Sequence, residues 1–283
     1  MTNYWKLLLT CLTFVTSVGS AWAEEAPASS AEEAPAEEEP KTEVSLVAEA
    51  GLIWLAGNTQ SITANGQVAF GIQRDGNRFS LNFGGAYGRS LVSTDVVDAD
   101  GTVIRTDTEW VDTAKRVFGD ARYDRFLVPD LNSIYVSGGA AHDPLAGLRF
   151  RAQGNAGYSH LLVNTDMHRF AAEAGFNYTH ELYVEEVVPG SQNFVGARLF
   201  VGYALNANDI FGFSQSAEAL LGGTDNAEAR FDGRLLAVTG VTATLSKVFS
   251  VKAGFTLSWD FVPPEGFKPI DTTTTLTLVA TLL

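Results

Sequence analysis

The sequence predicts an all-β fold, an antiparallel up-and-down transmembrane β-barrel of about twelve strands. Three observations predict it. From position 44 onward, apolar residues recur with period 2 rather than 3.6. The connectors between the alternating runs are short and long in turn. Large aromatics on the apolar phase collect near the two ends of the runs.

Taken in order, residues 1–23 have the build of a secretory signal peptide: Lys6, an apolar stretch over 7–19, then Ala21-Trp22-Ala23 as small-residue cleavage site. Cys11 follows Thr10 inside the apolar run, where a lipoprotein signal would place its cysteine after the run. With that segment removed, the exported chain has no cysteine and no disulfide. Residues 24–42 hold seven Glu, one Lys and almost no large apolar group. Such a segment buries too little surface to offset its ordering entropy, so a disordered acidic linker is expected. The barrel is expected to occupy 43–283.

The twelve strands are expected near 44–56, 61–74, 78–91, 111–127, 133–142, 149–163, 169–183, 193–205, 210–222, 234–247, 251–261 and 271–282. In the third, Phe79, Leu81, Phe83 and Tyr87 oppose Arg78, Ser80, Asn82 and Ala86. The connectors at 75–77, 128–132, 164–168, 206–209 and 248–250 are tight and carry Gly, Asn, Asp or Pro, as hairpins require. Those at 92–110, 143–148, 184–192, 223–233 and 262–270 are longer, and 57–60 is short where a longer one is expected. Tight turns on one side and long loops on the other distinguish the periplasmic and outer faces of an outer-membrane barrel. An even strand count returns both termini to the periplasm. Only a closed barrel satisfies the backbone of lipid-exposed strands. Trp54, Tyr87, Tyr178 and Trp259 fall near the upper strand ends, and Tyr123, Tyr158, Tyr203 and Phe211 near the lower ones. All eight lie on the apolar phase, as two aromatic girdles would.

The opposite phase carries charge. Its basic members are Arg78, Arg116, Arg122, Arg149, Arg151, Arg169, Arg198, Arg234 and Lys252. Its acidic members are Glu49, Asp112, Asp120, Asp124, Glu173, Glu181, Glu218 and Asp260. They predict a polar lumen with paired signs. Such a wall suits a narrow passive channel for small solutes, or a salt-bridge network filling the barrel. Twelve strands give a lumen between a filled eight-strand barrel and an open porin. Small inward residues (Gly71, Gly84, Ala86, Gly139, Ala141, Gly157, Ala171 and Gly175) leave side-chain space and favour the channel.

Other chemistry finds little support. The chain has 33 acidic and 19 basic residues, a net charge of −14, which argues against nucleic-acid binding. No run of 18 apolar residues follows the signal peptide, so no membrane helix is expected. The Asp-rich stretch 95–107 has Val96 where a calcium loop needs its first Asp, and reads instead as a hairpin turning near Asp98 to Gly101. A barrel lipid-modifying enzyme would pair Ser with His on its lipid face. His142, His160 and His180 are on that phase, but no Gly-x-Ser-x-Gly nucleophile motif occurs, so no enzyme is expected. No cofactor or metal set is visible.

The first hairpin reads Leu55-Ala56-Gly57-Asn58-Thr59-Gln60. With Tyr123-Asp124-Arg125-Phe126, Asp143 through Gly147 followed by Arg151, and Gly154 through Tyr158, it resembles the domain-of-unknown-function 481 family. The resemblance spans most of 44–283. Its members are described as salt-induced outer-membrane proteins of Gram-negative bacteria, with no reaction assigned. It implies a barrel in contact with outer-membrane lipid and lipopolysaccharide, inserted by the barrel-assembly machinery. That machinery reads an aromatic final residue in such barrels, where this chain has Leu283.

Overall fold

The computed structural model describes residues 42–57, 60–98, 103–129, 131–184, 191–224, 231–263 and 268–282. The expected signal peptide and the expected linker up to residue 41, Asn58-Thr59, most of the expected turn around Asp100-Gly101, and Leu283 lie outside the described residues.

Twelve strands follow one another: β1 Glu43–Leu55, β2 Ser61–Arg74, β3 Asn77–Val97, β4 Val103–Val128, β5 Asn132–Asp143, β6 Leu148–Asn164, β7 His168–Tyr183, β8 Ser191–Asn206, β9 Phe211–Thr224, β10 Asp232–Thr244, β11 Phe249–Asp260 and β12 Ile270–Thr281. Each pairs antiparallel with its sequence neighbours, and β12 returns to β1, closing the barrel. The turn between β2 and β3 needs positive φ at both central residues, and Asp75 (φ 50°) with Gly76 (φ 74°) supplies it.

The alternation of sequence is an alternation of burial. On β3, Leu81 and Phe83 are exposed while Asn82 and Gly84 are buried. On β4, Arg122 and Asp124 are buried while Tyr123 and Arg125 are exposed. Polarity is thus inverted relative to a water-soluble sandwich: apolar side chains cover the outside and charged ones fill the inside.

The stretch 92–110, one of the longer connectors and read from the sequence as a hairpin, is largely two paired strands. β3 and β4 stay paired from Leu91↔Trp110 up to Val97↔Val103, as a two-stranded ribbon beyond the barrel rim. Residues 103–110 are exposed on both faces. Between β5 and β6 the connector is one turn of 3-10 helix, Pro144–Ala146. The Asp143 carboxylate accepts from the Ala146 N–H at 3.2 Å, and Gly147 closes the turn in the left-handed conformation (φ 74°).

Candidate functional site: the barrel interior

The interior charges are organised in two tiers. In the lower tier, Arg122 on β4 grips Asp124 two residues along its own strand through Nε and Nη2 (2.9 and 2.7 Å). The same guanidinium reaches Glu173 on β7 through Nη1 and Nη2 (3.0 and 2.8 Å). β5 and β6 lie between those strands, so this pair runs through the interior rather than along the sheet. Arg198 on β8 donates to Glu173 (2.6 Å) and to Glu218 on β9 (2.7 Å). Arg78 stands 3.5 Å from Asp124, which also accepts from the Ser133 hydroxyl (3.0 Å).

Tyr135 on β5 sits at the centre of this tier. Its ring lies 4.2 Å from the Arg122 guanidinium carbon and 5.5 Å from that of Arg198, and its hydroxyl accepts from Arg198 Nη1 (2.8 Å). The ring fits because Gly157 and Gly175 face it: a Cβ on either would stand 2.8 Å from the Tyr135 hydroxyl. Likewise Gly84 admits the Phe118 ring, with its Cζ 2.7 Å from where a Cβ would be. This corrects the reading of Gly84, Gly157 and Gly175 as vacant space. They are the recesses into which larger interior side chains pack.

In the upper tier Glu181 on β7 is held between Arg151 on β6 (2.5 Å) and Arg234 on β10 (2.5 and 2.8 Å), and accepts from the Tyr183 hydroxyl. Arg234 also lies 3.5 Å from Asp260 on β11. Between the tiers, Thr179 donates to Asn177 (3.0 Å), Asn177 to Asn155 (2.7 Å) and Asn155 to Ser137 (3.2 Å). Elsewhere Lys252 on β11 spans β12 to reach Glu49 on β1 (2.9 Å). Asp120 accepts from Asn82 (3.3 Å), Arg116 lies over the Phe118 ring at 5.0 Å, and half-buried Arg169 borders a small recess with Arg78 and Ser133.

Two charges leave the inward set because a one-residue bulge reverses side-chain phase. The register shifts at Gly88/Arg89, and Asp112 beyond it meets Arg89 (3.1 Å) and the outward Tyr87 hydroxyl (3.2 Å). The register also shifts between Leu148 and Phe150. Leu148 is buried, whereas Arg149 between them is exposed. Tyr135, Tyr183, Phe118 and Phe200 were missed because interior aromatics contradict the simplest apolar-out pattern. Their phase, shared with Ser133, Glu181, Arg116 and Arg198, is the signal that places them.

The interior is not filled evenly. About half of the inward residues of β4–β8 are buried, among them Arg122, Tyr135, Asn155, Glu181 and Arg198, and the rest are half-buried. Inward residues of β1, β2, β11 and β12 are half-exposed at nearly every level, including Ser45, Gln67, Thr256, Ser258, Thr273 and Thr275. One wall is packed; the opposite wall is solvent-reachable and lined largely by hydroxyls and amides.

On the outside, Trp54, Tyr87, Tyr123, Tyr158, Tyr178, Phe211 and Trp259 are exposed and Tyr203 half-exposed. Several keep a polar handle: Tyr123 donates to Asn77 (2.6 Å), Tyr178 to Asn193 (2.9 Å), and Tyr203 meets His168 (2.8 Å). His142, His160 and His180 meet the Arg149 carbonyl, the Tyr158 hydroxyl and the Asn193 amide.

A closed antiparallel barrel, apolar outside and ion-paired inside, is the architecture of membrane-spanning β-barrels. The chain belongs to the family described as Protein of unknown function, DUF481, whose model matches residues 48–282. Among solved structures it is similar to the NanC porin (10% identity, 84% of this chain and 100% of that one, TM-score 0.49). It is also similar to the translocator domain of autotransporter NalP from Neisseria meningitidis (11% identity, 88% and 90%, TM-score 0.41). The outer membrane channel DcaP of Acinetobacter baumannii gives 10% identity, 87% and 98% coverage and a TM-score of 0.35. No curated protein matches the chain.

Proposed function

We propose that this protein is an outer-membrane barrel serving as a narrow passive channel for small polar solutes, with passage along the wall formed by β11, β12, β1 and β2. The observation that carries the reading is the unequal burial of the two walls. Arg122, Asp124, Glu173, Glu181 and Arg198 are buried in ion pairs on β4, β7 and β8, while the half-exposed hydroxyl wall leaves a water-reachable path at its side. The signal peptide, the apolar exterior and the aromatic belts support an outer-membrane location. There outer-membrane lipid and lipopolysaccharide would cover the outer face, and the assembly machinery would insert the barrel. Single-channel recording in planar bilayers tests it. The wild type should conduct, and Thr275→Trp on the open wall should cut conductance several-fold, while Ala141→Leu on the packed wall should not. A correctly inserted barrel that is silent overturns the channel.

A second reading has its own observation. Arg122–Glu173 and Arg234–Glu181 cross the interior at two levels, as struts would in a structural, envelope-stress barrel. Inserted but silent barrels with high thermal stability would favour it.

A further inference from the structure

The barrel's closing seam is incomplete on one side. β1 pairs with β12 only from Val47↔Thr281 to Ala50↔Leu278, extended by the Leu282 N–H to the Leu46 carbonyl (2.8 Å). Above that, among the described residues, 51–55 of β1 are laddered only with β2, and 272–277 of β12 only with β11. Among the described residues, every other neighbouring pair runs along most of the shorter strand. The ladder stops at Gly51, where a Cβ would stand 3.0 Å from the Leu276 carbonyl oxygen and 3.2 Å from Thr277 Cγ2. The β12 backbone therefore passes close against β1 there, and the ladder between the two strands ends above Ala50↔Leu278.

The edges beyond the ladder have two chemical faces. Unpaired backbone polar groups are too costly to leave in hydrocarbon, so such edges persist only where they border water or a polar ligand. On the inner side stand Thr273 and Thr275, half-exposed and continuous with the open wall. On the outer side stand Leu52, Trp54 and Leu276, 66%, 77% and 66% exposed, the three most exposed large hydrophobic residues among those described. A notch lined with hydroxyls and free peptide groups thus opens onto an apolar strip at the level of the upper aromatic belt.

We propose that this seam is a lateral site for an amphiphile from the outer leaflet, one with a compact hydroxylated head and a single alkyl chain. The head enters the notch and takes hydrogen bonds from the free edges and from Thr273 and Thr275. The chain lies along Leu52, Trp54 and Leu276. The site rests on the membrane reading above but not on conduction.

The test uses the mature barrel in phosphatidylcholine vesicles with a photoactivatable octyl glucoside. Its segment beyond the signal peptide has no cysteine, so introduced thiols are unique. Adducts should concentrate on 51–55 and 270–277, at about tenfold the yield on the β8 lipid face around Leu199 and Val201. Leu52→Cys with Leu276→Cys continues the register of Ala50↔Leu278. Oxidising that pair should zip the seam and remove the enrichment, and reduction should restore it. Leu276→Cys alone, alkylated with dodecyl maleimide, should remove it as well by occupying the strip. Heat-modifiable migration of the reduced proteins confirms folding. Uniform labelling, or enrichment that survives both blocks, overturns the site. Arabinose-driven swelling of the same vesicles reads the channel separately: the seam block leaves it unchanged, and absent swelling with enriched labelling rejects the channel while keeping the site.

Discussion

Arg122 and Glu173 form a two-point ion pair across the barrel interior, although β5 and β6 separate their strands in the sheet. Each end is held by a second partner, Asp124 for Arg122 and Arg198 for Glu173. The arrangement ties the β4 wall to the β7–β8 wall independently of backbone pairing. Removing one member leaves buried charge with less compensation, which costs more than the pair contributes.

Glu173→Ala should therefore lower stability by about 3–5 kcal/mol, because Arg122 and Arg198 both lose a carboxylate in a desolvated setting. Urea unfolding from vesicles, followed by heat-modifiable migration, measures it. Combining Glu173→Ala with Arg122→Met should cost less than the sum of the two single changes. Additive effects would show that the pair does not couple the walls.

Charge changes on the two walls should separate. Lys252 and Glu49 face each other where the interior is half-exposed. Lys252→Glu should raise cation-over-anion selectivity, most clearly at low salt where screening is weak. Arg151 pairs with buried Glu181 in the packed wall. Arg151→Glu should instead bring two carboxylates together and lower thermal stability. Reversal potentials and melting curves of the two variants, read together, check the division. A selectivity change confined to Arg151→Glu would reverse the assignment of walls.

The exterior should reject charge at mid-height. Phe83 and Phe176 are exposed mid-strand. Replacing either with Arg should cost roughly 2–4 kcal/mol at the bilayer midplane. Thr256→Ala, on the inward phase, should assemble like the wild type. Refolding yield into vesicles gives the comparison, and equal tolerance on both phases would contradict a lipid-facing exterior.

Orientation has a direct readout. The β3–β4 ribbon carries exposed Arg105, whose ion pair with Asp107 (2.7 Å) is too exposed to matter for folding. Lys247 lies in the turn at the opposite end, between β10 and β11. Arg105→Cys should react with a membrane-impermeant maleimide on intact cells, and Lys247→Cys only after lysis. The reverse pattern would invert the barrel.

Strand number, order and facing were legible in the chain alone, because period-2 alternation and turn residues are local properties. β2 at 61–74 and β7 near 169–183 needed nothing beyond them. The bulges at Gly88/Arg89 and near Arg149 were not legible: a one-residue shift leaves no mark on composition, yet it turns Asp112 outward and exposes Arg149. Nor could spacing pair Arg122 with Glu173, which are 51 residues apart, or Arg234 with Glu181, which are 53 apart. Curvature brings those side chains together, and curvature exists only once twelve strands close. The same holds for Gly157 and Gly175. As sequence they are small inward residues. In the closed barrel their missing side chains are the space that Tyr135 occupies between two arginines. Alternation decides which residues face inward; closure alone decides which of them meet.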